Sequence, residues 1–243
     1  MKCGLVYDLF FEKHRTGSGH PEQPVRASHV YREIVKAGLL PKTLKINPKA
    51  CREETLALAH DSTYLAQAKK DILEGLSVLS TGDTQVCRDS WEVARRATGG
   101  VLLAVDQVMN GPIKRAFCLT RPPGHHATPS KGMGFCIFNH IAIAAKYAQK
   151  KHGVGKILIV DWDVHHGNGT QDVFYEDDSV LFLSTHQSPW YPGTGNREET
   201  GKGKGLGYTL NFPFPAGSGR KEIVEGAFGL DLPKKIGGFR PEL

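Results

Sequence analysis

The sequence contains no long apolar run and no three-residue glycine repeat. Its apolar stretches, such as residues 137–145, fall well short of the roughly 20 residues that a transmembrane helix needs. The chain opens with Met1-Lys2 and then a strand-like segment, so no signal-peptide core is predicted. A hydrophobic fraction of 40% is too high for a chain that is disordered throughout. These absences exclude membrane-spanning and fibrous classes and favour a globular protein.

Paired cysteines and blocks of like charge are also missing. The five cysteines show neither a C-x-x-C pair nor zinc-finger spacing, which favours reduced thiols and a cytoplasmic location. The formal net charge is +6, but the basic residues are scattered, and their densest clusters, 150–152 and 202–204, are short. Because a nucleic-acid interface concentrates Lys and Arg on one face, no specific nucleic-acid partner is predicted.

Short apolar runs alternate with helical patterns along the 243 residues. Runs bounded by turn residues are typical of buried parallel strands, and they occur at 3–7, 115–120, 156–160 and 179–184. Helical spacing of apolar residues occurs at 24–40, 62–76, 90–109 and 139–152. This alternation predicts an α/β fold, with a mostly parallel sheet that carries helices on both faces. No linker or repeat divides the chain, so one domain over residues 1–243 is expected.

Two adjacent histidines follow the second of these predicted strands. They are His125 and His126, in the segment RPPGHH at 121–126. Either ring alone is readily explained as a satisfied core histidine, but two in tandem in a rigid Pro/Gly loop are poor packing material. Imidazole titrates near neutral pH, so the pair indicates general acid–base chemistry.

Acidic and imidazole side chains alternate after the third predicted strand, as Asp161, Asp163 and His165. If the chain stays extended there, the period of two places all three on one side. Two carboxylates and one imidazole suit a divalent metal, and burying the carboxylates without a cation or several donors would cost several kcal/mol. A helix-cap role explains Asn168 but leaves both aspartates uncompensated. The pattern predicts a metal site.

Several segments, taken together, resemble the histone deacetylase family of arginase/deacetylase-fold zinc hydrolases, including bacterial deacetylase-like and class II-like proteins and acetylpolyamine amidohydrolases. These segments are RPPGHHA at 121–127, GMGFCIFNH at 132–140, VDWDVHHGNGTQDVFY at 160–175, PWYPGTG at 189–195, GHPEQPVRAS at 19–28 and H-x-x-x-Y-L at 60–65. The resemblance implies a three-layer arginase/deacetylase-like fold and a hydrolase that removes acetyl groups from amines.

The resemblance also implies roles for the two polar motifs. Asp163 and His165 would bind zinc, with iron(II) as the alternative metal, and activate water. His125 and His126 would face the metal-bound water, one of them acting as general base and the other as acid or electrostatic partner. Asp161 would accept a hydrogen bond from His125 and raise its basicity. Asn168 would partner His126, supplying a hydrogen bond without charge.

A second cation site and a substrate channel follow from the same resemblance. The implied structural potassium site consists of the Asp161 side chain with backbone carbonyls near Asp163, His165 and Ser184. The implied channel for an extended aliphatic amine is formed by Gly134 and the rings of Phe135 and Tyr191, whereas loop packing is the simpler role for Trp190. Arg26 would line the inner cavity, or is an exposed helix arginine, and Asp83 is a weaker match to a rim carboxylate.

Two family residues find no match in this sequence. The third zinc ligand, an aspartate, belongs in a motif to which residues 239–243 are the lead-in, and the catalytic tyrosine lies later still, so the domain is expected to be C-terminally truncated. Three functions stay open: a zinc deacetylase, an acyl-ester hydrolase on the same scaffold, and a truncated non-catalytic chain that binds metal or a partner. Acetyl-lysine, acetylpolyamines and other small acetamides all fit as substrates, and a homo-oligomer also stays open.

Overall fold

The computed structural model describes residues 2–243, which fall into two compact units: the chain up to His152, and Gly153–Leu243. The first unit contains β1 (Cys3–Val6), α1 (Arg26–Lys36), β2 (Thr43–Ile46), α2 (Glu53–Leu56), α3 (Ser62–Glu74), α4 (Ser90–Met109), β3 (Ala116–Cys118) and α5 (His140–His152). The second contains β4 (Ile157–Asp161), α6 (Asn168–Phe174), β5 (Val180–Gln187), β6 (Thr209–Phe214), a π-helix (Lys221–Asp231) and α7 (Leu232–Phe239). Short 3-10 turns lie at Leu9–Lys13, Leu40–Lys42 and Gly203–Gly205.

The sheet of the first unit is parallel and has the strand order β2-β1-β3. Successive residues of a strand point to opposite faces. Val6 packs against Ala104 of α4 on one face, and Leu5 packs against Ala27 of α1 on the other. Helices therefore cover both faces of this sheet, as the alternating pattern predicts.

The sheet of the second unit is also parallel, with the order β4-β5-β6. Leu183 of β5 packs with Phe212 and with Ala227 of the π-helix, while α6 also contacts β5. The backbone after α7 runs beside β4, where the Glu242 amide donates to the Lys156 carbonyl at 2.8 Å. The predicted α/β class with parallel strands is confirmed, in the form of two three-stranded sheets.

Helix ends follow the local sequence. The Asn139 side chain accepts a hydrogen bond from the Ala142 amide at 3.1 Å and caps α5, and Gly153 takes a left-handed φ of 69° directly after this helix. The first predicted helix is shorter than expected: it ends at Lys36, and Gly38 follows with a φ of 64°. None of the helices in residues 2–243 is long and apolar enough to span a membrane.

Candidate active site

A buried ion pair fixes the start of the histidine loop. The Arg121 side chain is fully buried, and its Nε and Nη2 atoms each lie 2.6 Å from a different carboxylate oxygen of Glu22. Nη1 also donates to the Phe11 carbonyl at 2.6 Å, and Nη2 to the His14 carbonyl at 3.0 Å. All three nitrogens of the guanidinium therefore donate hydrogen bonds, and the residue that precedes the cis Arg121–Pro122 bond is held in place.

Buried His60 ties down a later part of the same loop. Its Nε2 accepts from the Asn139 amide at 2.9 Å, so its Nδ1 carries the proton and donates to the Thr128 carbonyl at 2.9 Å. Burial lowers the pKa of His60 to about 4. The neutral ring thus links residues 128 and 139, on either side of the glycine-rich stretch between them.

His140, the first residue of α5, plays a similar part near the loop start. Its Nε2 lies 3.0 Å from the Pro122 carbonyl, and its Nδ1 lies 2.9 Å from the Thr98 hydroxyl of α4. Burial lowers the pKa of His140 to about 4, so this ring is also neutral.

His125 and His126 lie ring against ring in this braced loop. Their ring centroids are 3.9 Å apart with an interplanar angle of 41°. His126 is 3% exposed, whereas His125 is partly exposed. Gly134 backs His126: a Cβ added at Gly134 would lie 2.3 Å from Cδ2 of that ring, and the residue has a φ of 55°. Only glycine fits there without displacing His126.

Asp83 contacts the channel segment predicted from the sequence. Its Oδ1 accepts a hydrogen bond from the Gly134 amide at 2.8 Å, so the carboxylate helps to hold the backbone of this segment in place. Asp83 is itself exposed to solvent. The next residue, Phe135, has a φ of 69°, and its ring meets His20 edge-on at 4.5 Å. A positive φ at an aromatic residue is sterically costly and is typical of a functional site.

Arg26 begins α1 with its side chain about half exposed. Its Nη1 lies 2.8 Å from Oε1 of Glu22, the carboxylate that also pairs with Arg121. The side chain therefore reaches solvent, while its head group pairs with a buried carboxylate. A role of Arg26 in an inner cavity stays a prediction.

The polar segment of the second unit begins where β4 ends, at Asp161. The backbone bends after Asp161, whereas the sequence predicts an extended segment, because each carboxylate accepts a hydrogen bond from the amide two residues ahead. Oδ1 of Asp161 accepts from the Asp163 amide at 3.1 Å, and Oδ1 of Asp163 accepts from the His165 amide at 2.9 Å. These Asx-type contacts bring Oδ1 of Asp163 within 3.1 Å of Nδ1 of His165.

Asp161 is positioned by both chain and sheet. It pairs with Ser184 across β4 and β5, and a Cβ added at Gly167 would lie 2.2 Å from Oδ2 of Asp161. Gly167 is thus required for this carboxylate position. The buried Asn168 follows as the first residue of α6. The structure brings Asp161 and Ser184 together; the potassium site and the partnership of Asn168 with His126 stay predictions.

Two aromatic residues from the loop after β5 contact His165. The Trp190 indole Nε1 donates to Nε2 of His165 at 3.0 Å, although the Trp190 side chain is exposed. The Tyr191 ring meets the His165 ring edge-on at 6.1 Å. Trp190 is therefore not a simple packing residue of its loop, which is the role that the sequence favours.

The chain also resembles known proteins over almost its whole length. A family model described as the histone deacetylase domain matches residues 20–243. The chain belongs to the histone deacetylase family. It is 40% identical over 222 residues to a protein of Archaeoglobus fulgidus named probable deacetylase, and the match covers 90% of this chain and 61% of that protein.

Other members of the family agree with this assignment. Histone deacetylase 14, chloroplastic, of Arabidopsis thaliana is 39% identical over 233 residues, covering 88% of this chain and 55% of that protein. The crystal structure of the HDA15 HD domain matches with a TM-score of 0.92 and 34% identity, covering 99% of this chain and 71% of that one. The predicted family and fold class are thus confirmed, and the chain spans 55–61% of the length of the two curated relatives.

Asp163 and His165 fit a divalent metal of the kind the family resemblance implies, as two of its ligands. A tetrahedral zinc ion with bonds of about 2.0–2.1 Å spaces its ligand atoms about 3.3 Å apart. Oδ1 of Asp163 and Nδ1 of His165 are 3.1 Å apart, and about half and a third of their side chains are exposed, respectively. Within residues 2–243, no group of three His, Cys, Asp or Glu side chains is arranged to hold a metal.

The sequence does not predict a polar network that joins side chains of residues 166–171 to those of residues 194–199. His166 lies between the Thr194 hydroxyl at 2.8 Å and the Gln171 amide oxygen at 3.1 Å. Glu199 accepts from the Gln171 amide nitrogen at 2.7 Å and from the Gly195 amide at 3.0 Å. Burial lowers the pKa of His166 to about 4. The sequence shows that these polar residues follow buried strands. Their spacing along the chain, however, does not indicate that their side chains form hydrogen bonds with one another.

Proposed function

We propose that the chain is a hydrolase that cleaves the amide bond of an acetylated amine and releases acetate and the free amine. The observation that carries this proposal is the His125–His126 pair, with ring centroids 3.9 Å apart, in a chain of the histone deacetylase family. Paired imidazoles in a fixed loop suit general acid–base catalysis near neutral pH. Two relatives of the chain are named probable deacetylase and histone deacetylase, which supports deacetylation as the reaction class.

The loop contacts support a division of labour between the two rings. His126 is buried against Gly134, so its orientation is fixed. His125 is more exposed and is the ring that would take a proton from water. His126 would then stabilise developing charge or return a proton to the departing amine nitrogen. Asp161 and Asn168 would orient the two rings through hydrogen bonds.

Asp163 and His165 would hold the divalent metal, zinc or alternatively iron(II), through Oδ1 and Nδ1. When bound, such a metal supplies a Lewis acid that polarises the amide carbonyl and acidifies water. A structural potassium ion at Asp161, Asp163, His165 and Ser184 belongs to the same proposal, and the pairing of Asp161 with Ser184 across the sheet supports it.

The proposed substrate is an extended amine that carries an acetyl group: an acetyl-lysine side chain, an acetylated polyamine or a smaller acetamide. The unusual backbone at Phe135 and the exposed ring of Tyr191 support an aromatic channel for such a chain. We also propose a cytoplasmic location, which the five free thiols support.

A second candidate is a non-catalytic chain that binds a metal or a partner. It is favoured by one observation, namely that no group of three metal-ligating side chains is found within residues 2–243. The two candidates differ in whether bound metal is accompanied by turnover.

Hydrolysis of an acetyl-lysine peptide, measured with added zinc and again with a chelator, separates them. We expect zinc-dependent release of acetate that falls at least tenfold in Gly134→Ala, because the new methyl group displaces His126. Gly153→Ala is the matched control, since Gly153 also has a positive φ but has open space around its Cβ position. Zinc binding without turnover by the unmodified chain would favour the non-catalytic candidate.

A further inference from the structure

The contact between Trp190 and His165 fixes which imidazole nitrogen carries a proton. An indole N–H only donates, so Nε2 of His165 must be the acceptor in the 3.0 Å contact with Nε1 of Trp190. On the opposite side of the ring, Nδ1 of His165 lies 3.1 Å from Oδ1 of Asp163, a carboxylate that accepts. His165 therefore has its N–H on Nδ1, directed at Asp163.

A metal shared by Asp163 and His165 requires the opposite arrangement. Nδ1 is the nitrogen next to the Asp163 carboxylate, so a metal held by both residues takes Nδ1. A metal-bound neutral imidazole has its N–H on the other nitrogen and directs it at an acceptor. Nε2 of His165 would then be a donor that faces the Trp190 indole, which is a donor as well.

We propose that the Trp190 indole is a metal-sensitive latch: it holds His165 in the metal-free chain and leaves Nε2 when Asp163 and His165 take a divalent metal. This inference rests on the metal site of the proposed function. It assigns Trp190 as a positioning residue, acting through His165.

The surroundings of Trp190 allow this movement at little cost. Its side chain is 57% exposed, so it can swing away without opening the core. The backbone turn behind it is held separately, because the Gly193 amide donates to the Trp190 carbonyl at 2.9 Å. The neighbouring Tyr191 ring meets the His165 ring edge-on, with centroids 6.1 Å apart.

The latch can be observed by NMR of the indole N–H groups in ¹⁵N-tryptophan-labelled chain. The three tryptophans give three indole resonances, and Trp190→Phe identifies the one that belongs to Trp190. In metal-free protein we expect this resonance to shift in His165→Ala. Addition of zinc to the unmodified chain should shift it in the same direction, toward the position of a water-exposed indole, while the buried Trp91 indole stays unchanged.

Zinc affinity supplies the second measurement, by calorimetry. Trp190→Phe removes the competing donor and keeps an aromatic ring, so we expect zinc to bind about threefold to tenfold more tightly, the worth of one hydrogen bond. Trp162→Phe is the matched control: Trp162 is 75% exposed and adjoins Asp163, and its replacement should leave the affinity unchanged.

The outcomes separate this inference from the proposed function. Zinc binding with an unmoved Trp190 resonance, or equal affinities for Trp190→Phe and the unmodified chain, would overturn the latch and leave the hydrolase proposal standing. A moving resonance without amide hydrolysis would support the latch and count against the hydrolase. No zinc binding at millimolar concentration would overturn both.

Discussion

Glu22 and Arg121 illustrate how single residues hold the histidine loop. They are 99 positions apart in the chain, almost completely buried, and joined by two hydrogen bonds of 2.6 Å. A buried ion pair contributes little compared with an apolar pair of the same shape, but removing one partner leaves a buried charge unmatched. We therefore expect Glu22→Gln to lower the free energy of unfolding by about 3–5 kcal/mol, as measured by urea denaturation.

The exposed pair of Glu33 and Lys36 is the control. Both side chains are about 70% exposed, so Glu33→Gln should change the free energy of unfolding by less than about 0.5 kcal/mol. Equal effects of the two substitutions would mean that the Glu22–Arg121 pair is not desolvated in solution.

The residues that brace the candidate site were harder to predict from the sequence than the histidine and aspartate motifs themselves. Adjacent histidines after a strand, and Asp-x-Asp-x-His after another, are unusual enough to be recognised in the sequence. Glu22, His60 and His166 are ordinary polar residues in the sequence. Their burial and their partners depend on contacts between distant segments, which no local pattern encodes.

At the scale of elements, His60 ties together segments on either side of the site loop by hydrogen bonds that only a neutral ring can make. Its Nε2 accepts from the Asn139 amide, so protonation would break this contact. The folded pKa is about 4, below the ordinary value of 6.5, because burial disfavours the charged ring. As pH falls below 6.5, the unfolded chain binds the proton first, so the stability due to His60 is present above that pH and is lost toward pH 4.

We accordingly expect the His60→Gln variant to show a weaker dependence of stability on pH. Between pH 6.5 and 5, the slope of the unfolding free energy should fall by roughly 1 kcal/mol per pH unit, approaching the one-proton limit of about 1.4 near pH 5. His29→Gln, on the exposed side of α1, is the matched control and should keep the slope of the unmodified chain. Denaturation followed at several pH values measures both, and an unchanged slope in His60→Gln would show that folding does not lower the pKa of His60.

The strands show why local patterns predict some elements and miss others. β1, β4 and β5 are short apolar runs, and the sequence predicts each of them within a few residues. β2 and β6 were not predicted, because polar residues or proline interrupt their apolar runs, as at Lys45 and Pro213. A strand in which polar residues or proline replace some of the apolar positions does not stand out as a short apolar run in the sequence.

At the scale of the whole chain, the fold class and family were readable because the motifs are spread from residue 19 to residue 195. The relation between length and function was less direct. The chain spans 61% and 55% of its two curated relatives, and the metal donors recognised in it are the pair Asp163 and His165. The affinity of the chain for zinc therefore depends directly on how many metal-binding side chains it supplies.

Two protein ligands should hold zinc far less firmly than a complete site. Structural zinc sites with four ligands bind with about 10–16 kcal/mol, and half of that corresponds to a dissociation constant between about 1 μM and 0.2 mM. We expect calorimetry of the 243-residue chain to give a value in this range. Asp163→Asn and His165→Ala should each weaken binding at least tenfold, and the exposed His29→Ala should leave it unchanged. A nanomolar constant would contradict this expectation, because affinity of that order requires further donors from the same chain to join Asp163 and His165.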